Sequence, residues 1–186
     1  ALDSNTISND NVAVGTNALT SLTVGGASQV GQNTAVGNNS LMNYAGIHAT
    51  AVGADALKAC TTGGDNTAVG RDALLIVTTG YDNTAIGANA GGNSTGYNNV
   101  FIGLQAGQYS AGGSANTIIG YLAGRNTTGH YNTILGYDAG LTQTSSNRNT
   151  FLGYGAGKDY AQTGDNKNTA VGMYAMTDIQ SGSNNT

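Results

Sequence analysis

The pattern Asn-Thr-(Ala/Ile/Phe)-(Val/Ile/Leu)-Gly-x-x-Ala returns ten times, opening at Asn11, Asn33, Ala49, Asn66, Asn83, Asn99, Asn116, Asn132, Asn149 and Asn168. The steps between openings are 22, 16, 17, 17, 16, 17, 16, 17 and 19 residues. A unit this short cannot bury an apolar side alone, so successive units must stack into one elongated body. Helical repeats need two helices of about ten residues each, which such a period does not hold. The β-branched runs closed by glycine, NTAVG at Asn33, Asn66 and Asn168 or NTIIG at Asn116, read as short strands bounded by turns. A second breaker follows in each unit, as in Thr61-Thr62-Gly63 and Thr78-Thr79-Gly80.

The expected fold is therefore all-β: a parallel β-solenoid of about ten coils of 16–17 residues, each with two short strands and two turns. Stacked at about 4.8 Å per coil, ten coils make a body on the order of 50 Å long. One domain covers residues 1–186: a lead-in over 1–10, repeats over 11–184, and the start of an incomplete coil at 185–186. Asn185 falls 17 residues after Asn168, so the chain stops with a coil begun and an edge open to pairing. The long first and last steps place insertions near Thr20–Gln32 and Tyr160–Lys167, which in solenoids loop out at one edge.

Charged residues make up 9% of the chain and there is no proline, against about 25% charge in ordinary domains. In an in-register stack each side chain sits over its counterpart, so a charged position would repeat as a column of like charges. A net charge of −4 with six scattered basic residues leaves no basic patch for nucleic acid. No apolar run reaches membrane-spanning length and no signal peptide opens the chain. The start at Ala1 without Met reads as a mature or excised segment. The single cysteine, Cys60, excludes an intramolecular disulfide framework and reads as a small core or turn residue.

Counting from the opening residue as position one, position four is aliphatic in all ten copies and position eight is Ala or Ser. These two columns are the expected core. Position three swings from Ala35, Ala51, Ala68 and Ala85 to Phe101, Ile118, Ile134 and Phe151, and a fixed cross-section does not absorb such changes without strain or voids. Alternation puts positions three and four on opposite faces. Position three is thus expected outside, as an apolar self-association column. The glycine at position five suits a corner with positive φ, and the position-one asparagines suit an amide ladder from coil to coil. Position nine is Leu in the first four coils, Gly in the next five and Met176 in the tenth.

The Asn-Thr-Ala-Val-Gly-x-x-Ala unit, from Asn11 to Met176, resembles the head repeats of YadA-like trimeric autotransporter adhesins and similar repeats of bacteriophage tail-fibre proteins. The resemblance implies a left-handed β-roll, a homotrimer and an adhesive role at a surface. The coils here are longer than is usual in that family, and no stalk or membrane anchor is read in the sequence.

No catalytic set can be assembled. His48 and His130 lie about five coils apart, roughly 25 Å at the stacking distance, so the chain is read as no enzyme and as needing no cofactor. The acids that stack in adjacent coils are Asp55 over Asp72 and Asp65 over Asp82, weak candidates for Ca²⁺ and otherwise solvated turn residues. Tyr121, Tyr137 and Tyr154 fill position six in three consecutive coils, and Tyr81 stacks with Tyr97. Such columns suit stacking along the ladder or contact with surface glycans. Sequons at Asn38, Asn93, Asn126 and Asn184 permit glycosylation. Position two holds the one regular threonine column, whereas an ice-binding face needs two. The expected function is a non-enzymatic structural or adhesive subunit of an extracellular fibre, on a cell-surface appendage or a virion. Its expected partner is itself, as a homotrimer or an end-to-end filament through the apolar column and coil ends. The alternative is a carbohydrate-binding receptor module of a phage tail fibre or surface adhesin.

Overall fold

The computed structural model describes residues 10–20, 31–160, 163–178 and 182–186. Each repeat supplies one three-residue strand: β1 (Val12–Val14), β2 (Thr34–Val36), β3 (Thr50–Val52), β4 (Thr67–Val69), β5 (Thr84–Ile86), β6 (Val100–Ile102), β7 (Thr117–Ile119), β8 (Thr133–Leu135), β10 (Thr150–Leu152) and β12 (Thr169–Val171). These ten form one parallel sheet in chain order, with every motif position over its counterpart, as in Thr67↔Thr84, Ala68↔Ala85 and Val69↔Ile86. The architecture is a parallel β-solenoid, and no helix occurs among the described residues. About eight turns are seen, slightly fewer than the ten coils counted from the openings. Most of the Thr20–Gln32 insertion, residues 21–30, lies outside the described residues, as does the lead-in before Asp10. In the Tyr160–Lys167 insertion, β11 (Gly164–Asp165) pairs in parallel with β9 (Ser146–Asn147).

The reading of two strands per coil is not met. The second half of most coils is a chain of turns, tied to the next coil by backbone bonds such as Leu57 N–H to Ala73 O at 3.0 Å and Thr61 N–H to Thr78 O at 2.9 Å. Left-handed residues make these corners, at position seven (Asp55, φ 58°), position nine (Leu57, φ 50°) and just before the opening asparagine (Asp65, φ 55°). Position five is glycine for two reasons that act together. At Gly120 φ is +136°, and a Cβ there would lie 2.3 Å from the Gly136 carbonyl oxygen of the next coil. The backbones approach too closely for any side chain.

The inside and outside of the strand are opposite to the sequence expectation. Ala35, Ala51, Ala68, Ala85, Phe101, Ile118, Ile134 and Phe151 are fully buried, so position three is core and does not form an outward self-association column. Position four faces out: Val14, Val69, Ile86, Leu135 and Val171 are exposed. Position eight is core as expected, from Ala18 through Ala156.

The volume argument failed because position three does not fill the coil alone. Where it is alanine in the early coils, position nine is a buried leucine, as in Ala51 with Leu57 and Ala68 with Leu74. Where it is large, position nine is glycine: a Cβ on Gly107 would lie 2.2 Å from the Phe101 ring, and one on Gly157 2.6 Å from Phe151. At Ala85 and Gly91, both small, the neighbours lean in, since a Cβ on Gly91 would meet Phe101 at 2.6 Å and Leu74 at 2.9 Å. Position twelve completes the core with Tyr44, Cys60, Val77, Ser94, Ser110, Thr127, Gln143 and Tyr160. The coil interior thus stays filled although no single column keeps its size.

The position-one asparagines from Asn33 to Asn168 are buried and form the expected ladder. Asn83 shows the unit: its backbone N–H and its Nδ2 donate to Asn66 Oδ1 at 3.0 and 3.1 Å, and Nδ2 also donates to Gly96 O of its own coil at 3.0 Å. The pattern repeats at Asn99, Asn116 and Asn132. Asn185 joins it through Asn168 Oδ1 at 2.9 Å. Ala49 interrupts the ladder, and the Tyr44 phenol fills the gap by donating to Gly63 O at 2.7 Å.

The volume exchange is testable in the eighth coil, where a Cβ on Gly140 would lie 3.0 Å from Ile134 Cδ1. Ile134→Ala leaves a cavity costing about 2–5 kcal/mol, and Gly140→Leu overpacks the coil by about 1–3 kcal/mol or more. The double variant rebuilds the Ala–Leu pair of the early coils. Denaturant unfolding is expected to show it more stable than either single variant, whereas additive losses would disprove the exchange.

Candidate functional site

The outer face of the sheet carries two in-register columns. Position two is threonine except Val12 and Val100, and position four is Val, Ile or Leu throughout. No charged residue stands at either position in any coil. The face is thus a strip of methyls and hydroxyls on a backbone whose hydrogen bonds are consumed in the sheet. Beside it, position six divides the molecule. It is Thr16, Asn38, Ala54, Arg71 and Ala88 in the first five coils, then Leu104, Tyr121, Tyr137, Tyr154 and Met173. The last five are all exposed, so the apolar strip widens in the second half. Sequence reading found the tyrosines but not their continuation through Leu104 and Met173, which appears only once position six is traced along all ten repeats.

The tyrosines stack on one another. Tyr121 and Tyr137 have ring centroids 4.8 Å apart at 18°, Tyr137 and Tyr154 5.0 Å apart at 3°, and Tyr174 meets Tyr154 edge-on at 5.3 Å and 83°. Tyr81 and Tyr97 form a second stack at 5.1 Å and 7°. Ring faces turned on each other are not available to a flat sugar face. The stack offers edges and phenolic hydroxyls instead. The Tyr154 phenol is held above its ordinary pKa, chiefly by its hydrogen bond to Tyr174.

The acidic pairs are engaged locally. Asp55 accepts from Asn39 Nδ2 at 2.9 Å and pairs with Lys58 at 3.0 Å, and these contacts, Asn39 first, hold its carboxyl below the usual range. Asp72 pairs with Arg71 at 3.1 Å and Asp65 with His48 at 3.2 Å. Asp82 stands one coil beyond Asp65 on the same left-handed corner. Among the described residues no three His, Cys, Asp or Glu side chains gather where a metal could sit. His130 is set apart from His48 and accepts through Nδ1 from the Ser114 N–H at 3.2 Å. Of the sequons, Asn38 is exposed, while Asn126 is half-buried and donates to Leu141 O at 3.1 Å.

Cys60 sits in the position-twelve column, with Sγ 3.6 Å from Gly63 O and 3.8 Å from Thr78 O. Burial pushes its thiol from 9.0 up to about 12. Thiolate is the reactive form, so the native protein is expected to resist a thiol reagent at neutral pH and react once unfolded. The raised pKa also sets a stability window. Its contribution is complete below pH 9.0 and is lost as pH rises toward about 12, because the unfolded chain releases the proton first. Thermal melts from pH 8 upward should show this loss, reduced in Cys60→Ala; rapid labelling of the native thiol at neutral pH would contradict the assignment.

Among the described residues no helix is long and apolar enough to cross a membrane. No family model matches the chain, and neither the curated proteins nor the solved structures hold a match to it.

Proposed function

We propose that this chain is a non-enzymatic structural or adhesive subunit of an extracellular fibre or filament, on a cell-surface appendage or a virion. It associates with copies of itself through the outer sheet face and the coil ends. The observation that carries this reading is the uncharged position-two and position-four face, which runs in register along ten strands. At about 4.8 Å per strand and about 10 Å of strand width it offers roughly 500 Å², more than half of the roughly 800 Å² per partner of a stable interface, and the exposed position-six side chains beside it widen it. The self-association surface is thus position four, with Leu104, Tyr121, Tyr137, Tyr154 and Met173 flanking it, in place of the buried position three. The likeness to YadA-like heads and tail-fibre repeats supports the same reading and favours three chains side by side over an end-to-end filament.

The alternative, a carbohydrate-binding module, rests on Tyr121, Tyr137 and Tyr154. Their mutual stacking leaves a glycan only edges and hydroxyls to contact, which is less than sugar-stacking recognition requires, so the structural reading is preferred. Selective glycan-array binding lost in the three Tyr→Ala changes would reverse that preference.

Light scattering and negative-stain microscopy are expected to show assemblies of the wild-type protein. Ile86→Lys with Leu135→Lys, which adds charge to the exposed face, should reduce them to monomers with unchanged circular dichroism. Ile118→Lys, at a fully buried position, should abolish the fold instead. A wild-type protein that stays monomeric at high concentration would refute the proposal.

A further inference from the structure

The chain has one cysteine, and it is buried. Neighbouring coils therefore cannot be tied by disulfides, and each is held to the next by non-covalent contacts alone. Four coils carry another group able to form a covalent tie. Tyr121, Tyr137, Tyr154 and Tyr174 are 40%, 45%, 45% and 49% exposed, and each ring touches the next at 4.8, 5.0 and 5.3 Å. We propose that this tyrosine column is a site of oxidative cross-linking, whose co-reactant is hydrogen peroxide with a haem peroxidase or a comparable one-electron oxidant.

The chemistry balances without any further group. Two phenols each give one electron and one proton, and one hydrogen peroxide is reduced to two waters. The two phenoxyl radicals carry spin density on the carbons ortho to oxygen. One carbon–carbon bond forms between two such carbons, and the ring hydrogens there move to the oxygens, restoring both phenols. Radical coupling between side chains is limited by encounter, and holding the partners adjacent replaces that encounter with a local rearrangement. The Tyr154–Tyr174 pair already meets edge to face at 83°. The Tyr121–Tyr137 and Tyr137–Tyr154 pairs are nearly parallel and must swing their exposed rings to bring edges together.

The stacked Tyr81–Tyr97 pair, 5.1 Å apart and each 46% exposed, is a second site by the same geometry, and two exposed tyrosines outside both stacks provide internal controls. Tyr131 is the most exposed, at 61%, but its ring neighbours are His130 and Arg148. Tyr109 is 39% exposed and lies under Arg125. An oxidant guided by exposure alone would favour Tyr131. One guided by stacking joins the column.

Each link closes a loop between adjacent coils and restricts the unfolded chain as a disulfide does. Cross-linked protein should therefore resist denaturant more than the untreated chain. The proposal stands apart from the assembly reading, because its links form within one chain.

The test is treatment of dilute native protein, mixed with an isotopically labelled copy, with peroxidase and hydrogen peroxide. Unfolding and tryptic digestion follow. Cleavage after Arg71, Arg125, Arg148, Lys158 and Lys167 puts Tyr121, Tyr137, Tyr154 and Tyr174 into four different peptides. Each link between them is then a pair of joined peptides short of two hydrogens, and fragment-ion sequencing places it on its residue, because Tyr131 shares a peptide with Tyr137 and Tyr81, Tyr97 and Tyr109 share one with Tyr121. The expected result is unmixed links Tyr121–Tyr137, Tyr137–Tyr154 and Tyr154–Tyr174, together with Tyr81–Tyr97, each about tenfold or more above any link to Tyr131. Tyr137→Phe should remove the first two and keep the third. Links ranked by exposure, links only between labelled and unlabelled copies, or no links at all would each overturn the proposal.

Discussion

The buried asparagine ladder is the interaction on which the solenoid depends. An interior carboxamide costs about 1–3 kcal/mol if left without partners, and this chain buries one in nearly every coil. The cost is avoided because each amide is bonded on both sides. One oxygen accepts from the backbone N–H and the side chain of the next coil, while Nδ2 also reaches a carbonyl of its own coil, as at Asn99 and Asn116. Slipping one strand by a residue would turn an asparagine to solvent and a threonine into the core, and break several bonds together. The ladder therefore sets register as well as holding coils together, and strands of only three residues suffice to form a ten-stranded sheet.

The one gap in the ladder shows how strict this requirement is. With Ala49 in place of asparagine, the Gly63 carbonyl would lack its usual donor. The Tyr44 phenol, one coil earlier and buried, supplies it at 2.7 Å, its single proton shared with Ile47 O at 2.9 Å. Burial raises the Tyr44 phenol far above its ordinary pKa, which keeps the donor proton in place. Tyr160 stands at the same position seven coils later and meets the Asn168 amide. Tyrosine at position twelve thus serves as an auxiliary rung.

Most of the fold was legible because in-register stacking converts sequence into columns. The spacing gave the coil, the asparagine column gave the ladder, and the glycine at position five marked the close approach of backbones. What misled was volume. Treating position three as an isolated column made the change from Ala85 to Phe101 look impossible inside, whereas Leu74, Gly91 and Gly107 exchange volume with it. The change from Leu to Gly at position nine was visible in the sequence, and setting it beside position three would have placed both inside. The tyrosine column was equally legible. That its ring faces cover one another was not, because side-chain orientation at position six depends on the corner that follows Gly120, Gly136 and Gly153.

Column logic also explains how the outer face stays free of charge over its whole length. A lysine at position four would sit about 4.8 Å from its counterparts above and below, and a column of them would repel itself. Charge is instead placed at the corners, where side chains reach partners of opposite sign, as in Arg148 with Asp165 at 2.6 Å and Lys158 with Asp138 at 3.0 Å. The sheet face is left with threonines and aliphatic side chains because that composition repeats without electrostatic cost. The same constraint that stabilises the stack therefore leaves one side of it uniformly uncharged, which is the property the proposed self-association uses. A charged substitution at position four would therefore leave the fold in place and act on the proposed self-association, whereas the same change one residue away, at position three, strikes the core.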